Sequence, residues 1–267
     1  MDIISAKEIL KTVKKPSFYD IKVLDEAIST STLLKELGEN GAPEGTVVIA
    51  ERQTGGRGRL GRSFFSPEGS GIYMSFLVRP EITLSECAQI TALAAVSVCD
   101  AIKDVTGIAT GIKWVNDVYR DGKKISGILT EAVLSNDNRT PKFISVGIGI
   151  NVYPSDMPKE IADIATSLFT ETPKEIRNEL IAKILDNFFA YYKKEKSFIE
   201  KYKNYSVVTG KKIKVIRGSE SFEAEALGIN EDCSLLVRLQ NGSTLSLSSG
   251  EISIRPLDGK GFDLEEN

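Results

Sequence analysis

Residues 51–62 read ERQTGGRGRLGR, four glycines and four arginines in twelve positions, placed directly after the short β-branched run Thr46 to Ala50. Glycine lets backbone N–H groups approach a ligand closely. Arginine keeps its charge at any working pH and grips phosphate or carboxylate with two parallel hydrogen bonds. Gly56, Gly58 and Gly61 formally satisfy the G-x-G-x-x-G spacing of a dinucleotide fold. The next nine residues, SFFSPEGSG, cannot open the helix whose N-terminus would hold a pyrophosphate, and the stretch lacks the Gly-Lys-Ser/Thr ending of a P-loop. Taken alone, the segment reads either as an anion cradle between two strands or as a solvated surface loop.

The flanks are mixed α/β. Upstream, a short helical lead-in precedes a strand at Ile21 to Leu24, a Ser-Thr-Ser run at 29–31, a helix over Thr32 to Leu37 and turn chemistry from Gly38 to Gly45. Downstream, Ile72 to Val78 alternates as a strand, and Ser85 is expected to cap a long apolar helix running to Val105. Gly111 to Tyr119 and Lys124 to Leu134 read as two strands joined at Asp121-Gly122, a pair suited to a tight hairpin. Phe143 to Val152 is continuously apolar, as a central strand would be. An exposed strand over Lys142 to Asn151 would instead offer an edge for a homodimer or an acceptor domain. Ile176, Leu180, Ile184, Phe188 and Tyr192 share one face of a helix expected between Lys174 and Tyr202. From Val207 onward the pattern shifts to short strands, which divides the chain at 206/207 into a larger domain and a small all-β module.

Composition narrows the chemistry. With 267 residues, 41% hydrophobic and 27% charged, the chain has the makeup of a globular enzyme. Its 34 basic and 37 acidic residues leave a net charge of -3 with no long run of one sign, so nucleic acid is not the expected partner. Histidine is absent, which removes Ser-His-Asp, Cys-His and the common zinc chemistries. Cys87, Cys99 and Cys233 lack paired spacings, as expected of a reducing cytoplasm, and no apolar stretch is expected to span a membrane.

A second cluster, Lys113-Trp-Val-Asn-Asp117, ends one strand and is followed by Lys123-Lys-Ile-Ser-Gly-Ile-Leu129. On one continuous strand Lys113, Val115 and Asp117 would share a face and point together into a site. The alternative is a core Trp114 beside a solvated, charged hairpin face.

The loop GRGRLGR, the KWVND segment with KKISGIL, the strand GIGIN at Gly147 to Asn151, Ala165-Thr-Ser-Leu168 and the terminal GEISIRP at Gly250 to Pro256 together resemble the biotin protein ligase family. The resemblance implies a mixed-sheet α/β catalytic domain of the biotin/lipoate ligase type and an SH3-like β-barrel at the carboxyl end. It implies activation of biotin by ATP and Mg2+ to biotinyl-AMP, then transfer to a lysine of a biotin carboxyl carrier domain. Ser29, Thr30, Ser31 and Gln53 would hold the ureido head. Arg57, Gly58, Arg59 and Lys124 would hold the carboxylate, with Gly127 allowing close approach. Gly56, Arg57, Arg62, Phe64, Lys113, Asn116, Asn151 and Arg255 would serve ATP, and Asp117 would orient or deprotonate the acceptor amine.

Ser31 stands where asparagine is usual in the family, Leu60 where a third loop arginine often sits, and Val115 where proline is common. A lipoate or octanoate ligase would share the fold, but Gln53 beside the serine cluster argues for the ureido ring. The roughly twenty residues before the first strand are too few for a helix-turn-helix domain, so no DNA-binding role is expected.

Overall fold

Alternating and β-branched runs build a seven-stranded sheet in the computed structural model, which describes residues 2–135, 139–171, 175–193, 198–248, 252–257 and 262. After helix α1 (Ala6–Thr12) come β1 (Asp20–Ala27), α2 (Thr30–Glu39), β2 (Thr46–Gln53), β3 (Gly71–Val78) and α3 (Cys87–Thr106). Next are β4 (Gly111–Lys113), β5 (Asp117–Arg120), β6 (Lys123–Leu134), β7 (Pro141–Asn151), α4 (Lys159–Ala162), α5 (Arg177–Tyr192) and α6 (Ile199–Tyr205). Strand order is β1-β2-β3-β7-β6-β5-β4, with β1 and β2 parallel and every other pair antiparallel. The strands β8 (Lys212–Arg217), β9 (Glu220–Ile229), β10 (Leu235–Leu239), β11 (Thr244–Leu247) and β12 (Ile252–Pro256) form an antiparallel sheet ordered β11-β10-β9-β8-β12. No β11–β12 ladder closes it among the described residues.

The two faces of the large sheet have different fates. Met74, Phe76, Val146, Ile148 and Ile150 turn to the side covered by α3 and α5, in a core that runs without a break into Ile213, Val215 and Val237 of the β module. Phe76 meets Phe188 of α5 edge-on at 4.6 Å. On the opposite face α2 covers only one end, where Leu34 packs with Val48, Leu77 and Phe143. The rest of that face is left for the site.

Several expectations are corrected. The Gly111–Tyr119 run is two strands, because the chain reverses through Trp114–Asn116, where the Trp114–Val115 peptide is cis, and Val115 is buried in the core instead of sharing a face with Lys113. The segment Gly38–Gly45 begins as helix, since α2 continues to Glu39. The long apolar helix is capped by Thr83 with Glu86 on a preceding 3-10 turn, not by Ser85. The single helix expected from Lys174 is two, α5 and α6, and Lys174 lies outside the described residues, as do Gly250 and Glu251. The Lys142–Asn151 strand is not an edge: β7 sits between β3 and β6, paired along both sides. The segment Leu84–Thr106 is long and apolar enough to cross a membrane, against expectation, but 72% of its most apolar window is buried against the sheet and α5.

A buried guanidinium ties the base of the arginine-glycine loop to the chain's start. Arg177, at the first turn of α5 and 1% exposed, donates through Nη1 to Glu51 Oε2 at 2.7 Å and to the Gly71 carbonyl at 3.0 Å. It also donates to the Asp2 carbonyl. The Asp2 carboxylate accepts from the backbone N–H groups of Ile176 and Arg177 and from the Tyr153 hydroxyl. Both stems of the loop are thereby held by one side chain, whose buried charge is matched by two carboxylates.

Candidate active site

The floor of the site comes from strand register. Directly paired residues point to the same face, and three rows lie across β3, β7 and β6: Tyr73, Gly149 and Gly127; Ser75, Gly147 and Leu129; Leu77, Ser145 and Glu131. Small residues in the middle of each row leave a trench in an otherwise filled surface. Phe64, from the arginine-glycine loop, lies in that trench; a Cβ at Gly149 would come within 2.5 Å of its ring, so any side chain there would have to displace the ring.

Neutral dipoles line one end. Ser29 is the N-cap of α2, yet its side chain makes no capping hydrogen bond. Gln53 Oε1 accepts from the Thr30 N–H at 2.9 Å and its hydroxyl at 3.2 Å, and Nε2 donates to Ser66 Oγ at 3.0 Å. Thr30 Oγ1 lies 2.9 Å from Ser75 Oγ. Ser31 donates to Glu131 and sits 3.3 Å from Ser145 Oγ. Ser29, Thr30, Ser31, Gln53, Arg57, Phe64 and Gly127 line a single pocket, so the structure gathers all of the expected ureido contacts. Phe64, expected to serve ATP, lines the same pocket.

The loop itself is tightly folded. Arg57 bridges Ser63, the Gly58 N–H donates to the Arg62 carbonyl at 2.7 Å, and Leu60 takes a left-handed φ of 56° at the tip. At Gly56 a Cβ would come within 2.5 Å of the Phe64 carbonyl. Its arginines part company. Arg57 turns to Glu131 at 3.5 Å, where Lys35 also binds at 2.8 Å. Burial would push the Glu131 carboxyl up, but hydrogen bonds from Lys35 and Ser31 and the nearby charges outweigh it and hold it below its ordinary value. Arg59 donates to Asn116 Oδ1 at 3.1 Å and to the Ile252 carbonyl of β12 at 3.3 Å. It forms part of the wall of a second cavity, of about 420 Å³, between the start of α3, β6 and the β module.

The second cluster sits beside this loop. Lys113 and Asp117 oppose one another across the β4–β5 pair, and Asp117 is ion-paired with Lys124 at 2.7 Å. Burial depresses the Lys113 ammonium; Asp117 opposes the shift, while Lys124, Arg255 and Arg62 add to it, so all four charges lie within electrostatic reach. Asn116 is pinned to β6 through Nδ2 to the Ile128 carbonyl at 2.9 Å. Asn151 donates to the Thr166 carbonyl at 3.2 Å, and Thr166 in turn pairs with the Lys124 carbonyl at 2.9 Å. The Ala165–Leu168 segment is thus fastened over Lys124.

A pocket of hydroxyls and an amide with Arg57 in its lining, beside a row of cations, suits a substrate with a polar uncharged head and a carboxylate, alongside a polyphosphate. The biotin/lipoate A/B protein ligase family matches residues 24–151, and the biotin protein ligase C-terminal domain matches 208–255. The bifunctional ligase/repressor BirA of Bacillus subtilis strain 168 is 37% identical over 227 residues, covering 82% of this chain and 69% of that protein. The chain belongs to the biotin protein ligase family.

Within that family, the biotin--[acetyl-CoA-carboxylase] ligase of Mycobacterium tuberculosis is 26% identical over 87% of this chain and 88% of its own length. The Aquifex aeolicus biotin protein ligase in complex with biotin and ATP superposes with a TM-score of 0.76 at 34% identity, over 89% of this chain and 99% of that one. The mixed sheet and the C-terminal β module are the fold of this family. Glu131, Lys35, Ser75 and Ser145 escaped the sequence-based reading of the ligase. The period-2 signal was present, since Gly127, Leu129 and Glu131 alternate along one strand.

Proposed function

We propose that this ligase joins biotin to AMP and then to a protein lysine. The carboxylate oxygen of biotin attacks the α-phosphorus of ATP and expels pyrophosphate. The acceptor amine then attacks the acyl carbon, losing a proton as AMP leaves. The observation that carries this reading is that the Ser29–Gln53 pocket, lined also by Arg57 and Gly127, lies beside Lys124, and that Gly127 shares one cross-strand row with Asp117 and Lys113.

The ureido carbonyl would accept, and its N–H groups donate, among Ser29, Thr30, Ser31 and Gln53. Arg57, Gly58, Arg59 and Lys124 would hold the carboxylate against the α-phosphate, and Gly127 would let the chain of biotin lie close to the sheet. Gly56, Arg62, Lys113, Asn116, Asn151 and Arg255 would serve the nucleotide. No protein nucleophile is needed. Rate comes from alignment and from fixed cations facing the charge that develops on phosphorus. Asp117, held by Lys124, would receive or orient the amine proton.

Among the described residues no group of three or more Asp, Glu or Cys side chains could hold a metal. Magnesium depends largely on phosphate and water ligands, so it would enter with ATP, and no step here runs through it. The acceptor is a biotin carboxyl carrier domain of a carboxylase, reached in the cytoplasm, and residues 1–206 and 207–267 would act as catalytic and C-terminal domains.

The test is pyrophosphate release with MgATP and biotin, lipoate or octanoate, followed by addition of a carrier domain. Release with biotin alone and label on the carrier lysine are expected. Release with lipoate or octanoate instead would change the substrate, and release with none would overturn the mechanism.

A further inference from the structure

We propose that Phe262 is a positioning residue for nucleotide binding: with Tyr119 it forms an aromatic seat that holds the Lys113 ammonium ready for the phosphates of ATP. The inference rests on the reading of Lys113 as a phosphate ligand. Lys113 Nζ lies 5.4 Å from the Phe262 ring centroid and 5.5 Å from that of Tyr119, with the Tyr119 hydroxyl at 3.4 Å. Its cross-strand neighbour Asp117 is taken by Lys124 at 2.7 Å.

The chemistry explains why rings stand where a carboxylate might have been. Lys124, Arg62 and Arg255 all act on Lys113 with like charge, and a lysine on a flexible four-carbon stem would swing away from them into water. A carboxylate partner would hold it, but would also cancel the charge and repel a polyphosphate. The negative face of a ring attracts the ammonium and leaves its net charge intact.

Phe262 is itself fixed for the task. It is 2% exposed, its backbone bridges Gly122 at the β5–β6 turn, and its ring meets that of Tyr119 edge-on at 6.3 Å. Phe262 is not among the residues that line the Ser29–Gln53 pocket, so its influence should fall on the nucleotide and not on biotin.

The decisive experiment measures equilibrium binding of a non-hydrolysable ATP analogue, together with the KM for ATP, the KM for biotin and the kcat of pyrophosphate release. It compares wild type, Phe262→Leu, Phe262→Trp, and the protein carrying pentafluorophenylalanine at 262, which keeps the ring's shape while reversing its quadrupole. The leucine and fluorinated proteins should bind nucleotide about fivefold more weakly with unchanged biotin KM, and the tryptophan variant should match or exceed wild type. Should Phe262→Leu unfold, the fluorinated protein decides alone. Wild-type or tighter nucleotide binding by the fluorinated protein overturns the proposal, as does an equal loss for biotin. Lys113→Met separates the two readings: if it binds nucleotide as wild type does, the assignment of Lys113 has failed. If it binds weakly while the ring variants do not, only the role of Phe262 has.

Discussion

The two ends of the candidate active site differ in their balance of charge. At the Ser29–Gln53 end hydroxyls and an amide are mostly hydrogen-bonded to one another, and the charges beside them, Arg57 and Lys35, are paired with Glu131. At the other end Arg59, Lys113 and Lys124 lie within electrostatic reach of the Asp117 carboxylate, and Arg62 and Arg255 within reach of Lys113. Arg59 rests on an amide and a backbone carbonyl, and burial depresses its guanidinium, partly offset by Asp117. A completed network of dipoles selects by shape and hydrogen-bond count. A cluster of fixed cations lowers the barrier of any reaction that develops negative charge among them. On the proposed assignment, selection and catalysis should be separable by mutation.

Arg59→Ala should have the largest effect, a loss of about 10²–10³ in pyrophosphate release, as for deletion of other preorganised transition-state donors. Circular dichroism and thermal melting should stay close to wild type; wild-type-like release would remove the loop from the chemistry. Lys124→Ala should cost roughly tenfold to a hundredfold and raise the biotin KM as well, because Lys124 lies where the two ends meet. Effects confined to one substrate would shift that junction.

Gly149→Val should act on the Ser29–Gln53 end alone. Its side chain would collide with Phe64, so biotin binding should weaken at least about tenfold, the effect of a misfitting group worth 1–3 kcal/mol. The KM for ATP should not change, and an equal rise in both would mean the ends are not separable.

Glu131→Gln is the mildest test and concerns stability against pH. Glu131 titrates below its ordinary value of 4.5 when folded, so its contribution is present above that value and lost as pH falls through the lower folded value. Wild type should hold an advantage of up to about 1 kcal/mol near neutrality, small because the pair is partly solvated. That advantage should vanish in acid. Parallel acid melting curves for the two proteins would show that Glu131 contributes nothing.

How much of this was legible depended on the range of the interactions. Alternation and β-branching located β2, β3, β6 and β7, because a strand's burial pattern is local. The reversal at Trp114–Asn116 was hidden, since those residues carry no Gly, Pro or Asp-Gly signal and the two short strands concatenate into one apparent run. In the site, the arginine-glycine loop announced itself by composition. Glu131 and Phe262 did not, because their importance comes from partners about 100 and 150 positions away along the chain. Even the parting of Arg57 from Arg59, two residues apart, is set by those distant partners, Glu131 and Ile252.

The Arg177 knot sets an order of events during synthesis. Its partners are separated from it by 126 residues at Glu51 and 175 at Asp2. Strands β1 to β3 can leave the ribosome and begin to pair, but the stems of the arginine-glycine loop stay unfastened until α5 has emerged and docked. A nascent chain shorter than this would carry every residue of the loop and still lack the means to hold it closed around a reactive adenylate. The enzyme thus becomes competent to activate its substrate late, when most of the catalytic fold is already in place.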